Sequence, residues 1–245
     1  AQRRVRLLRE DLDGAAITVY LRGGKYRLDE PLTFTDQDSG IADKPITWKA
    51  YGNEIPLIAG DIDLTKQWQT VADNVWKMDV SDLPVGRIWQ LFRNGARINQ
   101  SRFPRYSYLE RLRVASVNTA RTEIVFDLTS NGKQLALPPL DGDVWYQGLI
   151  EWSSPMVQVA SKLSDGRNGI TLRNRAQYPL AQSLLVENPN LSHWNDLNTG
   201  STAYLYNVPL ATSPDADTWR YVASLKEIHY RTIPTVSPNL SKFSV

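Results

Sequence analysis

An all-β protein is expected from three features of the 245-residue sequence. Short runs alternate apolar and polar residues, Gly, Asn or Pro punctuates them, and aromatic residues are plentiful while helix signals are few. Ile17, Val19 and Leu21 alternate with Thr18, Tyr20 and Arg22, the period of a strand with one buried face. Gly23-Gly24 supplies a corner, Tyr26 and Leu28 resume the alternation, and Pro31 blocks a ladder donor ahead of Leu32-Thr33-Phe34. After the polar loop "TDQDSGIADKP", "ITWKAY" and "EIPLIAG" read as two more strands, with Ile46 and Trp48 inward in one, Leu57 and Ala59 in the other. Strand, corner, strand, loop, strand, corner, strand suits a parallel β-solenoid of stacked coils, and a β-sandwich produces the same local spacing.

Ahead of these runs, "RRVRLLREDL" places Val5, Leu7, Leu8 and Leu12 at helical spacing, with Gly14 as the stop. Past Gly60 the texture changes to longer, hairpin-linked strands. Asn94-Gly95 is a strong two-residue turn signal between "RIWQLFR" and "ARINQSRF". "TEIVFDL", "DVWYQGLIEW", "MVQVASKL" and "GITLR" continue the antiparallel pattern, predicting a barrel or sandwich over about 61–200. A second short helix is expected at "SYLERLR", Ser107 to Arg113.

The totals exclude several classes of function. Basic residues (28) nearly balance acidic ones (26), so no nucleic-acid-binding or membrane-surface charge is present, and no run approaches the length of a membrane helix. With no Cys, disulfides and thiolate zinc sites are absent; His193 and His229 stand apart from any metal-ligand spacing, so neither metal nor cofactor is expected. There is no phosphate loop, dinucleotide fingerprint or nucleophile elbow. Eight Trp and eleven Tyr suit a protein that packs rings against sugars, although strands also use such rings as core.

The string "VYLRGGKYRLDEPLTF…DSG…PITWKAY…EIPLIAG" resembles the first coils of right-handed parallel β-helix carbohydrate-active proteins, closest to β-helical glycoside hydrolases of the fucosidase and xylosidase type. "VWKMDV", "RIWQLFRNGARINQSRFP", "IEWSSPMVQVAS" and "AYLYNVPLATSPDADTWRYVASLKEIHY" extend the likeness over most of the chain. "DADTW" and "ASLKEIHY" depart from it, lacking the usual glycines of those turns. The resemblance implies a capping helix and first β-helix coils at 1–60, an inserted antiparallel barrel or sandwich at 61–234, and a resumed, truncated β-helix at 235–245. It implies an N-terminal fragment of a polysaccharide-degrading enzyme whose catalytic carboxylates and remaining β-helix lie beyond Val245, working extracellularly or in the periplasm. Two other readings stay open: a non-catalytic carbohydrate-binding or structural module of adhesin or tailspike type, and a polysaccharide lyase on the same scaffold.

Glycoside hydrolysis generally uses two carboxylates. The candidates within the chain are Asp141 and Asp143 in "LDGDVW" and Glu151 in "IEWSS", with Asp215 and Asp217 in "SPDADTW" less focused. Arg93, Arg97, Arg102 and Arg105 cluster with Phe103 and Tyr106 around the Asn-Gly hairpin, where guanidinium groups suit oxyanions. Arg97, Arg102, Phe103 and Trp152 are the expected glycan contacts.

Overall fold

The structure, a computed structural model, describes residues 1–11, 15–106, 110–130, 132–149, 154–175, 202–213, 215–234 and 236–245. Two compact units follow one another, Ala1–Ile62 and Asp63–Val245. Among the described residues one α-helix is present, and no helix is long and apolar enough to cross a membrane.

The first unit holds helix α1 (Gln2–Asp11) and strands β1 (Ile17–Leu21), β2 (Gly24–Arg27), β3 (Ile46–Ala50) and β4 (Pro56–Ala59). The pairing is parallel and in register: Ile17 lies beside Ile46 and Val19 beside Trp48, while Gly24 lies beside Pro56 and Tyr26 beside Ile58. The alternation of Ile17, Val19 and Leu21 is matched by Ile46, Trp48 and Ala50, so both strands turn their less exposed face the same way. Gly24 takes φ +136, a conformation costly for any residue with a Cβ. Glu54, on the neighbouring turn, holds that corner by accepting hydrogen bonds from the Arg22 side chain and the Gly23 N–H. Leu32–Phe34 forms no strand.

Helix α1 is fastened by Asp38. Its carboxylate accepts from Arg6 Nε and Nη2 (both 2.7 Å), Gln2 Nε2 (2.9 Å) and Thr35 N (2.8 Å). These bonds, the Arg6 guanidinium above all, hold the Asp38 carboxyl well below its ordinary value of 3.8. A carboxyl depressed in the folded state contributes at neutral pH and loses that contribution only as pH falls through its lowered value. A ten-residue helix is marginal without such anchoring. Asp38→Asn should therefore weaken the helical circular dichroism signal at neutral pH, whereas the native protein keeps that signal on acidification to pH 4. An unchanged helical signal in the variant would show that Asp38 is not the anchor.

The second unit starts with β5 (Asp63–Leu64), β6 (Gln69–Ala72), β7 (Val75–Asp79), β8 (Leu91–Arg93) and β9 (Ala96–Gln100). It continues through β10 (Arg102–Phe103), β11 (Leu112–Val117), β12 (Glu123–Asp127), β13 (Thr129–Ser130), β14 (Lys133–Gln134), β15 (Trp145–Leu149), β16 (Met156–Lys162), β17 (Gly169–Leu172) and β18 (Thr202–Tyr206). It ends with β19 (Thr218–Val222), β20 (Glu227–Arg231) and β21 (Phe243–Ser244). Strands β11, β12, β17, β16, β15 and β18 close into a six-stranded antiparallel barrel, because β18 pairs with both β11 and β15. An eight-stranded sheet runs β5-β21-β8-β9-β19-β20-β7-β6. The barrel is thus an excursion from this sheet. The chain leaves at the end of β9 and returns to the adjacent β19, Asn99 lying opposite Thr218.

Each part has its own core. Inside the barrel, Leu112, Ile124, Val144, Val159, Ile170 and Leu205 are fully buried, and Tyr146 lies over Gly148, where a Cβ would meet its hydroxyl at 2.9 Å. On the sheet, Trp68, Tyr230 and Phe243 form a ring cluster with centroids 5.0–5.6 Å apart, beside a fully buried Trp219. The Asn94-Gly95 turn has both residues at positive φ and joins β8 to β9, as its sequence requires.

The pairing bears on three expectations. A parallel β-helix is not established: in the described residues parallel pairing is confined to β1–β3, β2–β4 and the short β9–β19 contact, and the other ladders are antiparallel. The helix expected at 107–113 is replaced at its end by β11, which takes Leu112 and Arg113; residues 107–109 lie outside the described residues. At the tail, the described pairing within 236–245 is antiparallel. Phe243 and Ser244 pair antiparallel with β5 and β8, and Asn94 fixes them by accepting from Lys242 N (2.9 Å) and donating its own N–H to Lys242 O (2.8 Å).

Candidate functional site

The carboxylates proposed for chemistry sit where the barrel meets the sheet. Asp141 Oδ2 accepts from Arg220 Nη2 at 2.6 Å, and Asp143 Oδ2 lies 4.0 Å from the same atom. Asp143 is buried and accepts from the Ala223 N–H (3.0 Å); Arg220, on β19, is equally buried. Asn207 adds its amide between the Asp143 carbonyl and the Tyr221 backbone. Both carboxylates are therefore ligated by protein groups that hold β15's approach against β19. A general acid instead needs a proton and a path to substrate. Glu151 and Trp152 lie outside the described residues, as does His193.

Asp215 and Asp217 are engaged as well. Asp215 accepts from Tyr106 N at 2.8 Å. Asp217, at φ +56, receives the Tyr230 hydroxyl (2.5 Å) and Arg93 Nη2 (2.9 Å), while Arg93 Nη1 donates to the Tyr230 oxygen (2.6 Å). Burial first, and then this bond to Asp217, push the Tyr230 hydroxyl far above the ordinary tyrosine value. His229 pairs with Glu227 at 2.8 Å on the same strand, and no group of metal-ligating side chains occurs among the described residues.

The arginine cluster divides. Arg102 is buried, with its guanidinium 4.1 Å from the Tyr106 ring centroid and 3.9 Å from that of Tyr204; it donates to the carbonyls of Pro104 (3.2 Å) and Arg105 (2.7 Å). Its role is to brace the crossing from sheet to barrel. Phe103 packs against the barrel core. Arg97 projects from β9 as an exposed cation.

A different assembly stands out on the barrel wall. Arg87 lies between Trp89 and Trp145, its guanidinium 4.3 and 4.4 Å from the two indole centroids, and the indoles meet edge to face at 5.0 Å and 71°. Burial lowers the Arg87 pKa, with Asp143 and Tyr221 acting against it. Beside Trp145 a groove of about 360 Å³ is lined also by Ser154, Met156, Gln158, Asn174 and Arg175. Sequence reasoning missed this group because its members come from four separate segments, 87–89, 145, 154–158 and 174–175. The available signal was the aromatic excess and the tight spacing of Arg87 and Trp89 in "RIW".

No family model and no curated protein matches the chain. The architecture itself has a solved counterpart. A structure described as "Glycoside hydrolase" superposes with a TM-score of 0.72 at 18% identity, covering 100% of this chain. The chain spans 41% of that structure's length. At this identity the likeness carries the fold.

Proposed function

We propose that the chain is the front portion of a carbohydrate-active protein of glycoside hydrolase type, binding its glycan outside the cytoplasm. On this reading β1–β4 are the first turns of a right-handed parallel β-helix, and the sheet with its barrel is an insert. The fold shared with a glycoside hydrolase over the whole chain is the observation that carries the reading. Asp141, Asp143, Asp215 and Asp217 all serve hydrogen bonds within the fold, which supports a reading that places the hydrolytic carboxylates beyond Val245. The same engagement favours a second role, glycan binding without cleavage, for the barrel itself.

The test is a hydrolysis assay of the purified chain against aryl fucosides, aryl xylosides and pectic oligosaccharides. The expected result is no turnover, with Asp141→Asn and Asp143→Asn altering stability alone. Turnover that Asp141→Asn or Asp143→Asn abolishes while the fold persists would move the active site into the barrel.

A further inference from the structure

We infer that the groove beside Trp145 is a pyranose-binding subsite, occupied by one or two rings of an oligosaccharide; the inference rests on the carbohydrate-active reading above. Its first support is rigidity. Trp145 belongs to β15 and is flanked by Gln158 on β16 and Tyr206 on β18, so its backbone is paired on both sides. Arg87 and Trp89 brace the indole itself. A ring fixed before the ligand arrives loses little freedom on binding, and an indole is the largest flat apolar surface a side chain offers to the C–H face of a sugar.

The second support is the polar set around that ring. Sugar hydroxyls both donate and accept, so their sites need donors and acceptors at set positions. Ser154 Oγ accepts from Gln147 Nε2 at 2.7 Å, which leaves its own proton to donate outward. Gln158 commits Nε2 to the Gly142 carbonyl, which leaves Oε1 as an oriented acceptor. The exposed Asn174 amide has no hydrogen-bond partner among the described residues, which leaves its donors and acceptor open to a ligand. Met156 adds an apolar edge, 39% exposed on the outer wall. About 360 Å³ lies at the small end of ligand pockets, the size of one or two sugar rings.

Isothermal titration of the whole 245-residue chain with xylotetraose, galactotetraose, fucosyllactose and tetragalacturonate tests the assignment. At least one should bind saturably. Trp145→Ala should weaken that binding by about tenfold or more. Because this change also removes the brace on Arg87, Asn174→Ala serves as the second variant. Asn174 is exposed and has no partner among the described residues, so its removal should leave the melting temperature unchanged and weaken binding about fivefold. Binding that survives both substitutions unaltered would overturn the groove and leave the carbohydrate reading standing. No binding by any of the four sugars would overturn both.

Discussion

Asn207→Ala should lower the stability of the second unit by about 4 kcal/mol, read from denaturant unfolding. Asn207 follows β18, is completely buried, and sits at φ +60, a conformation Asn tolerates and Ala does not favour. Its amide acts as a short piece of strand. Nδ2 donates to the carbonyls of Tyr221 (2.7 Å) and Asp143 (2.9 Å), while Oδ1 accepts from Tyr221 N (2.7 Å) and Gln100 Nε2 (3.0 Å). The Asn207 N–H donates to Ser101 O, and Ser101 N to Trp219 O. One side chain therefore joins barrel strand β18, sheet strand β19 and the approach to β15. Alanine leaves four polar groups without partners, each costing roughly 1–3 kcal/mol where water cannot replace the bond. Asn207→Asp should be no milder, since it retains the acceptor but sets a buried charge against two carbonyls. A loss below about 1 kcal/mol would mean that solvent reaches the junction.

Trp219→Ala should cost about 3–5 kcal/mol, the range for emptying a large aromatic site in a core. Trp219 is completely buried on β19, and its Nε1–H donates to Ile98 O on the neighbouring β9 at 3.1 Å. Substitution opens a cavity among Leu91, Ile98 and Ile228 and orphans that carbonyl. Trp219→Phe should lose less, since most of the volume remains. Trp89→Ala provides the contrast. With 48% of its surface exposed, Trp89 should cost about 1 kcal/mol or less, and the difference separates tryptophans that hold the fold from those that face solvent. Equal losses at the two sites would contradict that division.

How far the sequence could be read depended on the range of the interaction. The alternations at Ile17–Leu21 and Ile46–Ala50, and the Asn94-Gly95 turn, are local, and each appears where its pattern placed it. The stretch 107–113 misled because Leu109 and Leu112 satisfy a helical spacing, while pairing with β12 and β18 draws Leu112 and Arg113 into a strand. The tail misled for a related reason: Phe243 is apolar enough for a solenoid coil, but its partners Leu64 and Arg93 are distant in sequence. Nesting of the barrel between β9 and β19 depends on a pairing that spans the whole insert, and no local pattern encodes it. The aspartates at 141 and 143 had the composition of an acid pair. Only the buried Arg220, concealed in the apolar-looking "TWRYV", reveals their structural use.

The exposed apolar residues of the first unit fit the same physics. Ile55, Leu57 and Ile58 are more than half exposed, and among its described apolar residues Val5 alone is buried, 4% exposed. Paired strands with so little covered surface contribute modest hydrophobic stabilisation, at about 25 cal/mol per Å² buried. The barrel and sheet, each with a core of its own, should carry the cooperative unfolding of the chain.

The most direct test of the account is the set of indole N–H resonances of the eight tryptophans during titration with the tightest-binding oligosaccharide. If the aromatic groove receives glycan and the aspartate cluster serves the fold, the Trp145 resonance shifts and saturates, while Trp219 and the backbone amides of Asp143 and Ala223 stay in place. Shifts centred on Asp141, Asp143 and Ala223, with Trp145 unmoved, would contradict it.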